Sequence, residues 1–222
     1  MRTTIRNFAF AAAVATLGVT GGILSAPVLF AQEGSELPGQ PDPSRVAGGS
    51  YALDPVHTLV EWQVSHFGFN DYFGLFGDIS GTLELDPNDI AASRFEIMVP
   101  IAEVTVASDD LKDHLLRPGK DGAEPDFFGP DPGMATFTST NVRRVSDTSA
   151  VVSGMLEMNG RSGPVTMMVD LAGAGTNPMN EKETVGFHGR ATIDRTDWGI
   201  DWGEGLIGSE VDLIISAAFE KQ

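Results

Sequence analysis

Val56-His57-Thr58-Leu59-Val60-Glu61-Trp62-Gln63-Val64-Ser65-His66 alternates between two unlike sets of side chains. Val56, Thr58, Val60, Trp62, Val64 and His66 form one set. His57, Glu61, Gln63 and Ser65 form the other, with Leu59 its only apolar member. Successive side chains of a strand point to opposite faces, so this spacing predicts a strand with a dry side and a wet side. Phe67-Gly68-Phe69, Asn70-Asp71 and Tyr72-Phe73-Gly74-Leu75-Phe76-Gly77 follow and gather five aromatics and three glycines. The dry side therefore ends at a histidine beside a concentration of rings. Two readings are open: an ordinary core strand, or the wall of an interior suited to an apolar ligand with a polar head.

The period of two continues along the chain. Phe95, Ile97, Val99 and Ile101 alternate with Arg94, Glu96 and Met98. Val165 to Leu171, Val185 to Ile193 and Val211 to Phe219 repeat the pattern, and weaker runs lie at Ile79 to Leu85, Met134 to Val142 and Ala150 to Met158. Turn signals such as Asp86-Pro87-Asn88-Asp89 and Asn159-Gly160 separate them. About eight antiparallel strands in one domain predict an all-β sandwich or closed barrel. One segment breaks the period. Ser108 can cap a short helix whose first turn holds Asp109 and Asp110, with Leu111 and Leu115 on one face and Pro118-Gly119 as its stop. With Asp126-Phe127-Phe128, this helix is placed to close one end of a barrel.

Residues 1–31 read as a secretory signal peptide: Arg2 and Arg6, an apolar run from Phe8 to Leu17, and a small residue at Ala31. The expected destination is the periplasm or the outside. Gln32 to Ser50, with three prolines and four glycines, reads as a flexible linker, and the folded domain is expected over 51–222. There is no cysteine, so neither disulfides nor a cysteine-linked lipid anchor contribute. The net charge is −17, near −19 without the signal. Such a surface repels phosphate backbones and anionic headgroups and argues against nucleic-acid binding.

The four histidines, His57, His66, His114 and His188, show no metal-ligand spacing. Ser65 and His66 are adjacent and face opposite ways, and no nucleophile elbow is present. His57 is expected to bond a backbone group at a strand entrance, and Arg195 and Asp197 to pair at a strand end. No catalytic set, metal or cofactor is predicted.

The order Tyr51-x-Leu53-Asp54-Pro55-x-His57-Thr58-x-Val60, His66-Phe67-Gly68, Gly74-x-Phe76 and Gly81-x-Leu83 resembles the opening of the YceI-like family. Asp110-x-x-Asp113-His114-Leu115, Asp126-Phe127-Phe128, Ala135-Thr136-Phe137-Thr138-Ser139-Thr140, Gly154-x-Leu156-x-Met158-x-Gly160 and Arg195-x-Asp197-Trp198-Gly199 continue it. The resemblance runs from Tyr51 to the C-terminus. It implies an extended, eight-stranded, lipocalin-like antiparallel barrel that holds a polyisoprenoid chain, often in the bacterial periplasm. Three departures stand out. Thr58 replaces the usual Ser, the loop from Pro118 to Pro125 is longer than usual, and Gly129-Pro130-Asp131-Pro132-Gly133 replaces a valine-containing and tyrosine-proline pattern. Val60, Trp62, Val64, His66, Phe76, Phe137, Phe187 and Trp198 are the expected ligand-lining residues, with His66 a headgroup partner or a core histidine. The expected role is a binding protein for a polyprenyl or quinone-like lipid, without a stable membrane anchor. The alternatives are an enzyme on a similar apolar substrate using His66 or His114 as base, and an interaction module using the acidic surface.

Overall fold

The period-two segments form ten strands of one antiparallel sheet in the computed structural model, which describes residues 36–222. The expected signal peptide lies outside the described residues. The strands are β1 (Gly49–Leu53), β2 (Leu59–His66), β3 (Asn70–Phe76), β4 (Ser80–Leu85), β5 (Arg94–Pro100), β6 (Met134–Arg144), β7 (Ser149–Met158), β8 (Arg161–Thr176), β9 (Glu183–Asp194) and β10 (Ile207–Lys221). The only α-helix among the described residues, α1 (Asp109–Leu116), lies between β5 and β6.

The sheet runs β1-β4-β5-β6-β7-β8-β9-β10 and closes through a β1–β10 pairing. β1 and β2 occupy successive stretches of one wall position. Tyr51–Leu53 lie beside Phe219–Lys221, and Leu59–His66 beside Ile207–Ser216. β3 and β4 share the next position in the same way. Ten segments thus fill eight positions of a closed barrel, as expected. Closure removes the unpaired edges that an open sheet would present. The outer edge of β3 is met by Thr105, whose N–H and carbonyl both bond Leu75, at 2.8 and 2.9 Å.

The break between β1 and β2 is built by Asp54, whose Oδ1 accepts from the Val56 amide at 2.9 Å. Val56 is therefore in a turn and 78 % exposed, not on the dry face where alternation placed it. Thr58 is buried, and its hydroxyl accepts from the Ala218 amide at 3.2 Å. It thereby takes over a ladder bond at the break. His57 bonds the Asp54 carboxylate at 2.6 Å rather than a backbone group. Burial pushes the Asp54 carboxyl up, but hydrogen bonds from His57 and the Val56 amide outweigh this and hold it below its ordinary range.

One end of the barrel, the helix end, collects the β2–β3 and β7–β8 hairpins, α1 with its loop, and the 195–206 connection. α1 starts at Ser108, whose hydroxyl accepts from Leu111 N, and its first turn carries Asp109 and Asp110 against the positive end of the dipole. Leu115 is its buried residue, and the Leu115 carbonyl accepts from the amides of Phe128 and Gly129. That pair of bonds brings the double-Phe turn back onto the helix. The other end is packed more tightly by Tyr51, Leu53, Ile79, Leu83, Leu85, Ala174, Val185 and Phe219, five of which, Leu53, Ile79, Leu83, Leu85 and Phe219, also border the internal cavity. Residues 36–48, read from sequence as a flexible linker, lie against the wall there. Gln40 and Ala174 exchange backbone bonds at 3.1 and 2.8 Å, and the Tyr51 hydroxyl donates to the Ala47 carbonyl at 2.7 Å.

Candidate functional site

The inward side chains of β2 are Val60, Trp62 and Val64. None is fully buried, although they face the barrel axis. A solid core, packed like an organic crystal, would bury them. Their open surface faces a cavity of about 570 Å³ that runs inside the barrel and is lined almost wholly by apolar side chains. The volume falls within the roughly 300–1,000 Å³ of small-molecule sites. Of the two sequence readings of β2, the tunnel wall is the one the structure adopts.

Val60, Trp62, Val64, His66, Phe76, Phe137 and Phe187 all line this cavity. Trp198 does not. It is buried beside it, with its Nε1–H donating to the Leu156 carbonyl at 3.1 Å and its ring against Gly163. Its position in a short 3-10 turn after β9, outside any strand alternation, turns the ring into the wall. Trp62 lies flat across Gly74, the residue opposite it on β3. A side-chain carbon at Gly74 would come 2.2 Å from the ring. Trp62 also stacks on Tyr72 at 6.3 Å. Its buried Nε1–H has no partner among the described residues, a polar exception on an apolar wall.

Polar lining groups concentrate at the helix end: His66, Tyr72, Ser108, His114 and Arg195. Of all the lining residues, only His66 and Trp202 are exposed, so the cavity meets the surface there. His66 sits at the rim, edge-on to Phe67 at 4.3 Å. His114 projects from α1 with Trp202 at 4.6 Å and Phe127 at 5.1 Å, both edge-on. Its Nε2 donates to Asp126 at 2.8 Å, and Arg117 donates to the same carboxylate oxygen at 2.7 Å. The Arg117 bond and then the His114 bond hold the Asp126 carboxyl below the ordinary range, against a small push from burial. Asp126 thus fastens α1 to the double-Phe turn, and Phe127 and Phe128 reach the cavity.

Arg195 is 4 % exposed and forms no ion pair with Asp197, contrary to expectation. Its guanidinium donates instead to the carbonyls of Gly208 (2.8 Å), Trp202 (3.0 Å), Ile207 (3.1 Å) and Ile200. A planar fork of five donors suits a ring of carbonyls. Burial pulls its pKa below the ordinary guanidinium value, opposed by Asp194, Asp201 and Glu204. Arg195 therefore moulds the loop that carries Trp202. Sequence reasoning missed Tyr72, Phe127, Phe128 and Trp202 as lining residues. The clustering of rings near β3 and the double Phe was the available signal for three of them; Trp202, in an irregular loop, had none. Among the described residues no three of His, Asp and Glu converge as metal ligands.

The chain matches the family model described as a YceI-like domain over residues 51–219. It is 32 % identical over 162 residues to a UPF0312 protein of Pseudomonas paraeruginosa, covering 72 % of this chain and 80 % of the relative. It is 31 % identical over 161 residues to Protein YceI of Shigella flexneri, with the same coverage. Among solved structures it superposes on BcnA of Burkholderia cenocepacia with a TM-score of 0.61 at 19 % identity, covering 75 % of this chain and 98 % of that one. A polyisoprenoid binding domain from Saccharophagus degradans, implicated in plant cell wall breakdown, gives 0.53 at 15 % identity, covering 78 % and 98 %. Both likenesses concern the fold.

Proposed function

The chain belongs to the YceI-like family, and on that footing we propose that it is an exported carrier or store of a long apolar isoprenoid lipid, polyprenyl or quinone-like, held inside the barrel. The observation that carries this reading is the apolar cavity of about 570 Å³ that reaches the surface beside His66 and Trp202. Moving an apolar chain out of water gains roughly 0.8 kcal/mol per CH₂. One isoprene unit therefore outweighs a typical hydrogen bond, which nets about 1 kcal/mol. Ordering the flexible tail offsets part of that gain. Affinity then follows the tail, while the polar groups at the helix end orient the head. The name of the Saccharophagus degradans neighbour supports the ligand class, and Arg2, Arg6 and the apolar run after them support export. The test is native mass spectrometry with lipid extraction on protein purified from its own host. A bound prenyl lipid is expected; a barrel that is empty and takes up none sinks the proposal.

One observation favours the enzyme reading. His114 lies on the cavity wall and is oriented by Asp126, the arrangement of a general base with its positioning carboxylate. The carrier reading assigns this pair to fastening the helix end. His114→Ala would then change lipid retention and leave no accumulated substrate, whereas build-up of an unreacted apolar compound in the variant would favour catalysis.

A further inference from the structure

Two exposed rings project beside the mouth of the cavity. Phe69 is 90 % and Phe67 46 % exposed, at the tip of the β2–β3 hairpin. The Phe69 amide closes the turn on the His66 carbonyl at 3.1 Å. Phe67 has φ +55° and Gly68 φ +68°. Left-handed backbone is natural for Gly or Asn and strained for a bulky side chain, so Phe67 is held against its own preference. The adjoining loop adds Leu206 and Trp202, 57 % and 42 % exposed, and the Phe67 amide ties the two loops by donating to the Leu206 carbonyl at 2.8 Å. The patch is continuous with the cavity, since Trp202 belongs to both.

We propose that this tip docks on a zwitterionic lipid bilayer, seating Phe67, Phe69 and Leu206 in the interface so that an apolar ligand passes between bilayer and barrel without crossing water. Charge selects the occupant. Ser65 to Asn70 carry no fixed charge in a chain of net −17; the exposed charges beside the tip in sequence, Asp71, Asp201 and Glu204, are acidic, and the Arg195 guanidinium behind the loop is buried with its donors spent on carbonyls. Anionic headgroups would be repelled; a neutral surface is not. Aromatic rings are the side chains that settle at a bilayer–water interface. The purpose of docking rests on the carrier reading, but its geometry does not.

The experiment compares the full chain with Phe67→Asn combined with Phe69→Ser. Asn tolerates the left-handed backbone, so the double variant is expected to keep its melting temperature. Partition onto phosphatidylcholine vesicles is expected to fall about tenfold or more. Dibrominated phosphatidylcholine is expected to quench Trp202 in the parent chain, a component lost in Trp202→Phe. Equal partition of the two chains, or no quenching of Trp202, overturns the proposal. So does a tip that mediates self-association lost in the variant while vesicle partition stays unchanged. A chain that docks yet takes up no prenyl lipid refutes the carrier reading and leaves the docking intact.

Discussion

Arg195 shows how a single charge can organise a loop without an ionic partner. Its guanidinium satisfies four carbonyls drawn from Ile200, Trp202, Ile207 and Gly208. Arg195→Met keeps the stem and removes every donor, leaving those carbonyls without partners. A cost of about 3 kcal/mol is expected in urea unfolding, because orphaned buried acceptors are worth roughly 1–3 kcal/mol each and the loop relaxes toward water. Asp126 acts on the same end through pH. Its folded pKa is lowered by Arg117 and His114, so its stabilising contribution is complete above its unfolded value, near 3.9, and is lost as pH falls through the folded value. Trp202 emission, reporting on the His114–Phe127–Trp202 contacts, is therefore expected to show an acid transition below about pH 4. Asp126→Asn should abolish the acid transition. A transition that persists in the variant would assign it to another group.

At the scale of elements, β2 and β3 are fitted to one another by Trp62 and Gly74. Gly74→Ala would place a carbon 2.2 Å from the indole, and the ring must swing into the cavity. Overpacking of this kind costs about 1–3 kcal/mol. The variant is expected to melt lower and to hold less lipid, both read on one sample by calorimetry with and without a prenyl ligand. The same pair explains why β3 was not legible in the sequence. Its inward positions are Tyr72, Gly74 and Phe76, and a glycine at the middle one breaks the apolar alternation that reveals a strand. β1 escaped for another reason: five residues from Gly49 to Leu53 are too few to establish a period. The eight other runs, and α1 with its Ser108 cap, were readable because each satisfies a local rule. Seven of the eight residues expected on the cavity wall lie there; Trp198 differs because its direction is set by a 3-10 turn. What could not be read was set by tertiary context, including the mouth at Trp202 and the carbonyl ring around Arg195.

The described residues form a barrel whose cavity opens at the helix end and narrows among the more tightly buried side chains of the other. Both Ile79 and Leu213 border the cavity, but Ile79 is fully buried among the side chains of its cluster, while Leu213 is only half buried. Ile79→Ala is expected to cost about 2–5 kcal/mol, the range for opening a void in a tight core. Leu213→Ala removes atoms that already border empty space, and about 1 kcal/mol is expected from transfer alone. Thermal melts of the empty protein test the difference. With lipid bound the gap should narrow, because Leu213 then loses real contacts. The seam that closes the barrel has a consequence for how it is made. β10 is the last strand in chain order, and it pairs with β9, β2 and β1. The barrel therefore cannot form until β10 has left the ribosome, and its defining contacts join opposite ends of the domain. Such non-local closure is intrinsically slow, on the order of milliseconds to seconds. A chain of this design stays open and threadable during synthesis, and its interior exists only once its ends have met.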